Sequence, residues 1–351
     1  VSAGKWANAA FWLDEINGKW ATTTYYKDLP EYIDRFNTAE AIGNYPERQW
    51  NQSYPSYTGF LYTERTAPFS YHFTKSDNDR YKKIKKTALI NSEITLLAGK
   101  FFEKAGFTRK ACPDFLGLTY YAGNYPYSAD QTEYSAEIQD IYYCLDKEIE
   151  KLIDLIDRKI GLKYVLIVLT STGYFDLIQT PSNDFKAAGE FYPGRCTSLL
   201  NMYLMAIYGQ GNWVNGYFDR QIYLNKKLAE EKQVAWDNLI RSAADFTTQF
   251  SGVQQVITEL HSGVNKKNCG DLFIELLPGW KIVSENNTSS TEMLRTSIAL
   301  SPLFFFGENI PKGHIVRPIK ATEIAPTLAY LLRIQRPNAC KEKPLDEFLQ
   351  K

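Results

Sequence analysis

The chain holds few of the side chains that most often carry catalysis or bind metal ions. Among its 351 residues there are three histidines, His72, His261 and His314, and five cysteines that are scattered without a CxxC pair. Zinc centres built for hydrolysis need several imidazole, thiolate or carboxylate ligands that converge. No histidine here lies beside a predicted strand-end carboxylate. We therefore interpret the histidines as surface or packing residues, and we expect neither a zinc knuckle nor a dense disulfide framework.

The sequence also lacks the short motifs of several common catalytic folds. It contains no GxGxxG, Walker, HExxH or GxSxG pattern, which argues against nucleotide-fold, zincin and hydrolase-elbow chemistry. The acidic residues between 146 and 154 alternate with basic ones in a helical pattern, which is typical of intrahelical ion pairs rather than of an acid/base pair. The lysines at 82–86 are typical of a solvated helix face.

Composition limits the classes of partner. Forty Lys and Arg balance forty Asp and Glu, and a neutral chain lacks the field that concentrates nucleic acid, so we expect no nucleic-acid partner. Aromatic residues reach 15% and include 24 tyrosines, which favours a recognition role because such side chains suit wet surfaces. The most apolar run, Ser301–Gly307, is too short to cross a bilayer, so we predict no transmembrane segment.

The apolar pattern predicts alternating strands and helices. Two aromatic runs joined by Asn17-Gly18 predict a β-hairpin over 11–26, and isoleucines and leucines at helical spacing predict the longest helix over Glu133–Ile160. Strands predicted on either side of that helix, at 115–121 and 164–172, would form a βαβ unit with a covered parallel strand. The Tyr-rich stretch Tyr45–Phe73 shows little periodicity and is predicted to be a long ordered loop.

Other elements follow from the same patterns. The segment LPEYIDRFN, with Pro30 in its first turn, is predicted to form a short helix, and a hairpin is expected over 212–224. The remaining predictions are helices at 80–105, 197–208, 234–250 and 322–334 and strands at 253–260, 271–280 and 302–307. Together they predict an α/β sandwich that carries a β-rich cap.

The order of these segments resembles the alkaline phosphatase superfamily, most closely its bacterial single-chain phosphatases and type I phosphodiesterases. The resemblance runs from about Trp6 to the end and rests on the hairpins at 11–26 and 212–224, the stretch at 145–170, the strand CGDLFIELLPGW and the tail at 302–338. It implies one α/β domain over 1–351, with a doubly wound, mostly parallel sheet between helices and a cap at about 175–270. It also implies two zinc ions and a transiently phosphorylated Thr or Ser. The family's N-terminal part with that nucleophile is expected to be absent from this sequence.

The resemblance indicates where the zinc ligands would lie. An Asp-x-x-x-His segment aligns with FLGLTYYAGNYPYS, which places Asn124 at the carboxylate and Ser128 at the imidazole. An Asp-His pair aligns with Thr172 and Gly173, and a histidine near the tail aligns with Leu300. Amide, hydroxyl, hydrogen and hydrocarbon groups are poor zinc ligands. We therefore predict that all five ligand positions are lost.

These departures lead to three hypotheses. The first is a non-catalytic pseudophosphatase without a cofactor that serves in binding or assembly, with Asn124, Ser128, Thr172 and Tyr174 lining a vestigial cleft. The second is a metal-dependent phosphomonoesterase or phosphodiesterase with displaced ligands, which would require zinc. The third is a glycan- or protein-binding module that uses the Tyr-rich stretch. In each case the resemblance implies a periplasmic or otherwise exported protein.

Overall fold

A computed structural model gives the fold of the chain in two units. Unit 1 comprises Val1–Leu177 and Ser301–Lys351, and unit 2 comprises Ile178–Leu300. The structure describes residues 7–26, 28–54, 68–104, 113–128, 135–171, 189–258, 269–277, 280–284, 287–293, 301–307, 310–338 and 340–349.

Among its described residues, the first part of unit 1 contains five short strands and four helices. In chain order these are β1 (Trp12–Leu13), β2 (Trp20–Ala21), α1 (Glu31–Ala39), β3 (Glu47–Asn51), β4 (Ser70–Thr74), α2 (Arg80–Ile84), α3 (Leu89–Lys104), α4 (Ala136–Lys159) and β5 (Ile167–Thr170).

The predicted N-terminal hairpin is confirmed. Strands β1 and β2 pair antiparallel, with Leu13 opposite Trp20. Gly18 in the connecting turn has a φ of 67°, a left-handed conformation that glycine adopts without a steric penalty. The predicted short helix is also confirmed as α1, with Pro30 immediately before its first residue.

The Tyr-rich stretch predicted to be a loop contains two strands, so that prediction was wrong. Strands β3 and β4 pair antiparallel, with Gln49 opposite His72 and Trp50 opposite Tyr71. Both strands alternate exposed and buried positions, which is the period-two pattern of a half-buried sheet. The alternation extends over only five residues in each strand, so it is easily overlooked in a sequence rich in tyrosine.

The helix predicted over 80–105 is divided into α2 and α3. Thr87 lies between them and is fully buried. Its hydroxyl donates to the carbonyl of Ile84 at 2.7 Å and accepts from the backbone N–H of Leu89 at 3.2 Å. A threonine side chain that bonds to neighbouring backbone groups competes with the helical ladder, which explains the break.

The longest predicted helix is confirmed as α4. The side chain of Ser135 accepts a hydrogen bond from the backbone N–H of Ile138 at 3.3 Å and so caps its first turn. Ile138 and Ile141 are buried, and Ile141 belongs to a core that also contains Ile33 and Phe36 of α1 and Trp50 of β3.

The prediction of a βαβ unit around α4 was wrong, because the described residues before this helix do not form its first strand. Residues 115–121 form no strand. Instead, the side chain of Asn91 donates to the carbonyl of Tyr121 at 2.9 Å and accepts from its backbone N–H at 2.7 Å. One amide therefore supplies the two hydrogen bonds that a neighbouring strand would otherwise supply.

The run predicted to be a covered parallel strand forms β5, but its observed pairing is antiparallel. Its partner is β13 (Leu303–Phe306), with Leu169 opposite Phe304. Leu169, Phe304 and Phe306 are exposed, so the pair is not covered on both faces. Unit 1 ends with α8 (Ile324–Leu331) and α9 (Asp346–Leu349).

Unit 2 contains seven strands and three helices in its described part. They are β6 (Glu190–Phe191), α5 (Pro193–Tyr208), β7 (Val214–Phe218), β8 (Gln221–Leu224), α6 (Lys226–Glu231), α7 (Trp236–Thr248), β9 (Val253–Thr258), β10 (Leu272–Leu276), β11 (Lys281–Ser284) and β12 (Asn287–Met293). Four of the strands form a sheet in the order β7-β8-β10-β9, and three form a second sheet in the order β12-β11-β6.

The predicted hairpin in unit 2 is confirmed as β7 and β8. Its two-residue turn is Asp219-Arg220, and both residues have positive φ, as a type I′ turn requires. The core beside this sheet includes Leu200 of α5, Ile240 of α7 and Leu272 of β10, all fully buried.

Two further predictions concern the whole chain. The cap at 175–270 stays a prediction. Among the described residues, no helix combines the length and the apolar composition that a membrane span requires.

Candidate functional site

The described residues of the predicted ligand segment lie beside the first turns of α4. Two carboxylates of this helix, Glu137 and Asp140, are fully buried. They are three residues apart, which places them on neighbouring positions of one helix face. Strands β3 and β4 and the segment 120–128 supply the polar groups that contact them.

Glu137 binds two hydroxyl groups. Its Oε1 accepts a hydrogen bond from the Tyr71 hydroxyl at 2.7 Å and another from Ser128 Oγ at 3.0 Å. Ser128, predicted to occupy the position of a zinc-binding imidazole, is itself buried. Its hydroxyl therefore tethers the segment 120–128 to α4.

Asp140 binds groups of the Tyr-rich stretch. Its Oδ2 accepts from Trp50 Nε1 at 2.7 Å, and its Oδ1 accepts from the backbone N–H of Ser53 at 2.5 Å. Burial raises the pKa of Asp140 above its usual value, and these hydrogen bonds oppose that shift. The carboxylate thus fixes the end of β3 against α4.

The thiol of Cys144 lies one helical turn after Asp140. Its Sγ is 3.7 Å from Asp140 Oδ2. Burial raises the pKa of Cys144 to about 11, and the neighbouring Asp140 charge adds to the shift. Because the thiolate is the form that attacks carbon or binds metal, burial disfavours a nucleophilic or metal-binding role for this cysteine.

Asn124, predicted at a carboxylate position, is half-buried. Its backbone carbonyl accepts a short hydrogen bond from the Tyr121 hydroxyl. Burial raises the pKa of Tyr121 well above its usual value, so that hydroxyl remains a donor. Thr172, Gly173, Tyr174 and Leu300, the other predicted site residues, lie outside the described residues.

Aromatic rings pack around the two carboxylates. Trp50 stacks on Tyr71 at a centroid distance of 5.6 Å and makes edge contacts with Phe69 at 4.7 Å and Tyr125 at 5.2 Å. Trp50, Phe69 and Tyr125 are each less than 5% exposed. These described rings of the cluster form a packed core, which favours the interpretation that the Tyr-rich stretch is held down by its own aromatics.

These residues do not fit a zinc pair. In the part of the chain that the structure describes, no three His, Cys, Asp or Glu side chains converge as a metal site. Glu137 Oε1 and both oxygens of Asp140 accept from hydroxyl, indole and amide donors, and no histidine of the described residues joins them: His72 lies on the exposed face of β4 and contacts Glu47. His261 lies outside the described residues.

Sequence reasoning missed Glu137 and Asp140. A signal was present, because each residue directly precedes an isoleucine of the apolar stripe of α4 and so falls near its buried side. The sequence-based interpretation treated the acidic residues of this helix as solvated and considered only those at 146–154.

Comparisons with known proteins agree with the predicted fold. The model of the type I phosphodiesterase / nucleotide pyrophosphatase family matches residues 1–297. Among individual proteins, the chain is 28% identical over 391 residues to a calcium-transporting ATPase of Myroides odoratus, covering 100% of this chain and 70% of that protein. It is 24% identical over 385 residues to alkaline phosphatase PafA of Elizabethkingia meningoseptica, covering 99% of this chain and 69% of that protein. It is also 24% identical over 382 residues to alkaline phosphatase PhoV of Synechococcus elongatus, covering 100% and 68%.

A solved structure shows the same architecture. The crystal structure of wild-type alkaline phosphatase PafA superposes with a TM-score of 0.67 at 22% identity, over 96% of this chain and 70% of that chain. The similarity confirms the predicted α/β, alkaline phosphatase-like fold.

Proposed function

Because the chain belongs to the type I phosphodiesterase / nucleotide pyrophosphatase family of the alkaline phosphatase superfamily, we propose that it is a non-catalytic member that keeps the scaffold for binding or assembly. The family is enzymatic, so the proposal concerns this chain's own residues. It includes an exported, periplasmic location, inferred from the family resemblance.

The observation that carries the proposal is the environment of Ser128. A hydroxyl cannot replace an imidazole as a zinc ligand in a hydrolytic site. Here that hydroxyl is buried and donates to Glu137, and Glu137 also accepts from Tyr71. The segment thus serves as packing and as a tether within the fold, and its polar groups are already engaged.

The buried carboxylates support the same conclusion. A zinc-binding carboxylate must present a free oxygen lone pair toward the ion. Asp140 is fully buried, and its two oxygens accept hydrogen bonds from Trp50 and Ser53, which stabilise the packing of β3 against α4. We therefore assign Asp140 to fold stability.

The alternative is a metal-dependent phosphomonoesterase or phosphodiesterase whose ligands are displaced. It is favoured by the names of two matched relatives, alkaline phosphatases PafA and PhoV. Under this alternative, zinc would be held by side chains other than Asn124 and Ser128.

Zinc content and turnover distinguish these two functions. The chain is incubated with excess zinc, desalted, and analysed for bound zinc by inductively coupled plasma mass spectrometry. In parallel, hydrolysis of p-nitrophenyl phosphate and bis(p-nitrophenyl) phosphate is followed by the absorbance of released p-nitrophenolate. Alkaline phosphatase PafA treated in parallel is the positive control. Less than one zinc ion per chain with no turnover supports the non-catalytic function, and two zinc ions or turnover above buffer overturns it.

A glycan- or protein-binding role through the Tyr-rich stretch stays a prediction. Of its described aromatic residues, Trp50, Tyr54, Phe69 and Phe73 are buried, whereas Tyr45 is 40% exposed. Stacking on a sugar needs an exposed ring face. Tyr45 is the most exposed of these rings, and the Arg48 guanidinium lies over one of its faces at 3.9 Å from the centroid, which leaves the other face for a sugar. A glycan array with the chain and its Tyr45→Ala variant tests this role, and equal binding by both excludes Tyr45 from it.

A further inference from the structure

The paired strands β3 and β4 present one polar face to solvent. Because side chains alternate along each strand, the exposed face carries Glu47, Gln49 and Asn51 of β3 beside Ser70 and His72 of β4. The opposite face contributes Trp50 and Phe73 to the core. The register places Gln49 opposite His72 and Asn51 opposite Ser70, so the polar side chains converge.

Three of these side chains form a chain of hydrogen bonds. Ser70 Oγ lies 3.3 Å from His72 Nε2, and His72 Nδ1 lies 2.9 Å from Glu47 Oε1. A hydroxyl within reach of a base that is oriented by a third group is the arrangement that activates serine nucleophiles. The spacing follows from the sheet, since Ser70 and His72 are two residues apart on one face and Glu47 lies diagonally across from His72.

We propose that Ser70, His72 and Glu47 form an acyl-transfer site that hydrolyses small carboxylic esters with good leaving groups. The reaction would be separate from any phosphate-ester chemistry of the family. Ser70 is the nucleophile and His72 is the general base, and Glu47 is a positioning residue that accepts the Nδ1 proton in a hydrogen bond and so makes Nε2 the nitrogen that accepts a proton.

The proposed reaction proceeds in two balanced steps. Ser70 Oγ forms a bond to the ester carbonyl carbon while its proton passes to His72 Nε2; the bond from that carbon to the leaving oxygen then breaks, and His72 returns the proton to the leaving group. Water next attacks the acyl-serine, giving one proton to His72 and its oxygen to the acyl carbon. The bond from the acyl carbon to Ser70 Oγ then breaks, the acid is released, and Ser70 Oγ regains a proton from His72.

Gln49 lies within the same cluster. Its Nε2 is 3.1 Å from Ser70 Oγ and 3.3 Å from His72 Nε2, and it also donates to Asn51 Oδ1 at 2.9 Å. It is the side-chain amide nearest to the nucleophile. In the free protein its N–H competes with the Ser70 hydroxyl for a hydrogen bond to His72 Nε2. A bound ester whose oxygen accepted this N–H would allow the Ser70 hydroxyl alone to donate to His72 Nε2.

Covalent labelling tests the site directly. The chain is treated with a fluorophosphonate probe, which phosphonylates activated serines, and the labelled peptide is identified by mass spectrometry; hydrolysis of p-nitrophenyl acetate is measured in parallel. We expect label on Ser70, none on that peptide in Ser70→Ala, and a labelling rate about 10²-fold lower in His72→Gln. Ser76→Ala is the matched control, because Ser76 is an exposed serine whose hydroxyl lies 2.8 Å from Thr74 Oγ1, away from His72.

The role of Glu47 has its own readout. Glu47→Ala should slow both labelling and ester hydrolysis, and Glu47→Asp should restore part of the lost rate because it keeps the carboxylate. Circular dichroism verifies that each variant is folded, as expected for exposed positions. Absence of label on Ser70, or equal labelling of the chain and His72→Gln, would overturn the proposal and leave these contacts as ordinary surface hydrogen bonds of the paired strands.

Discussion

Replacing Asn91 with alanine should destabilise unit 1 through one specific segment. Asn91 lies in the first turn of α3, is fully buried, and makes both hydrogen bonds to the backbone of Tyr121. Truncation at Cβ removes the donor and the acceptor together. The N–H and carbonyl of Tyr121 would then lack those partners.

The magnitude follows from the two bonds. A typical hydrogen bond contributes about 1 kcal/mol net, and a buried backbone group left without a partner costs about 1–3 kcal/mol. Partial access of water to Tyr121, which is half-buried, keeps the sum below the upper limit. We expect Asn91→Ala to lower the free energy of unfolding by about 2–4 kcal/mol.

Urea denaturation measures the change in free energy, and native-state hydrogen exchange locates it. The amide of Tyr121 should exchange faster in Asn91→Ala than in the unmodified chain. Asn44→Ala is the control, because Asn44 is exposed and its side chain makes one hydrogen bond, to the carbonyl of Asn37 at 2.9 Å; it should cost less than about 1 kcal/mol. If Asn91→Ala proved as stable as the control, the reasoning that one amide anchors this segment would be refuted.

Two further changes test a buried charge and the core of unit 2. Burial raises the pKa of Glu93 above its ordinary value, so its folded-state pKa exceeds the unfolded one, and its contribution to stability is present at low pH and lost as pH rises through the folded pKa. In urea titrations from about pH 4 to about pH 7, Glu93→Gln should therefore gain stability relative to the unmodified chain as the pH rises. A difference in the free energy of unfolding that stays constant with pH would contradict this. Leu200→Ala should lower the free energy of unfolding by about 2–5 kcal/mol because Leu200 is fully buried. Leu199 is 47% exposed, so Leu199→Ala should change it by about 0.5 kcal/mol or less. Thermal denaturation compares the two variants, and equal decreases in melting temperature would show that unit 2 is packed otherwise.

Elements with strong local signals could be predicted from the sequence. Asn17-Gly18 specifies a hairpin turn, and the isoleucines and leucines of α4 specify a long amphipathic helix. In both cases the decisive interactions lie within a few residues of one another. The resemblance to the alkaline phosphatase superfamily, carried by several such segments in order, was confirmed for the same reason.

Pairing over long distances could not be predicted in this way. Residues 115–121 are apolar and β-prone, but whether they form a strand depends on a partner, and the described partner is the side chain of Asn91. Likewise, the apolar sequence of β5 is typical of a buried parallel strand. Its described neighbour, however, is the antiparallel strand β13, which lies far later in the chain. Propensity sets what a segment can do, and tertiary contacts select among the possibilities.

One residue of the candidate site was singled out from the sequence. Ser128 was identified as a residue unsuited to zinc, and the structure places it in a hydrogen bond to Glu137. The importance of Glu137 and Asp140 depends on Tyr71 and Trp50, which lie in strands that the sequence-based interpretation had assigned to a loop. Because the donors were misplaced, the acceptors were overlooked although the isoleucines of α4 beside them offered a signal.

The two-sided character of the β3–β4 ribbon has an evolutionary consequence. A slip of one residue in the pairing would turn Trp50 and Phe73 outward, so the hydrophobic interior enforces the alignment regardless of which groups stand on the wet side. Substitutions at positions 47, 49, 51, 70 and 72 can therefore accumulate without unfolding the protein. On such a surface, substitutions that introduce new reactive groups can arise with little loss of stability.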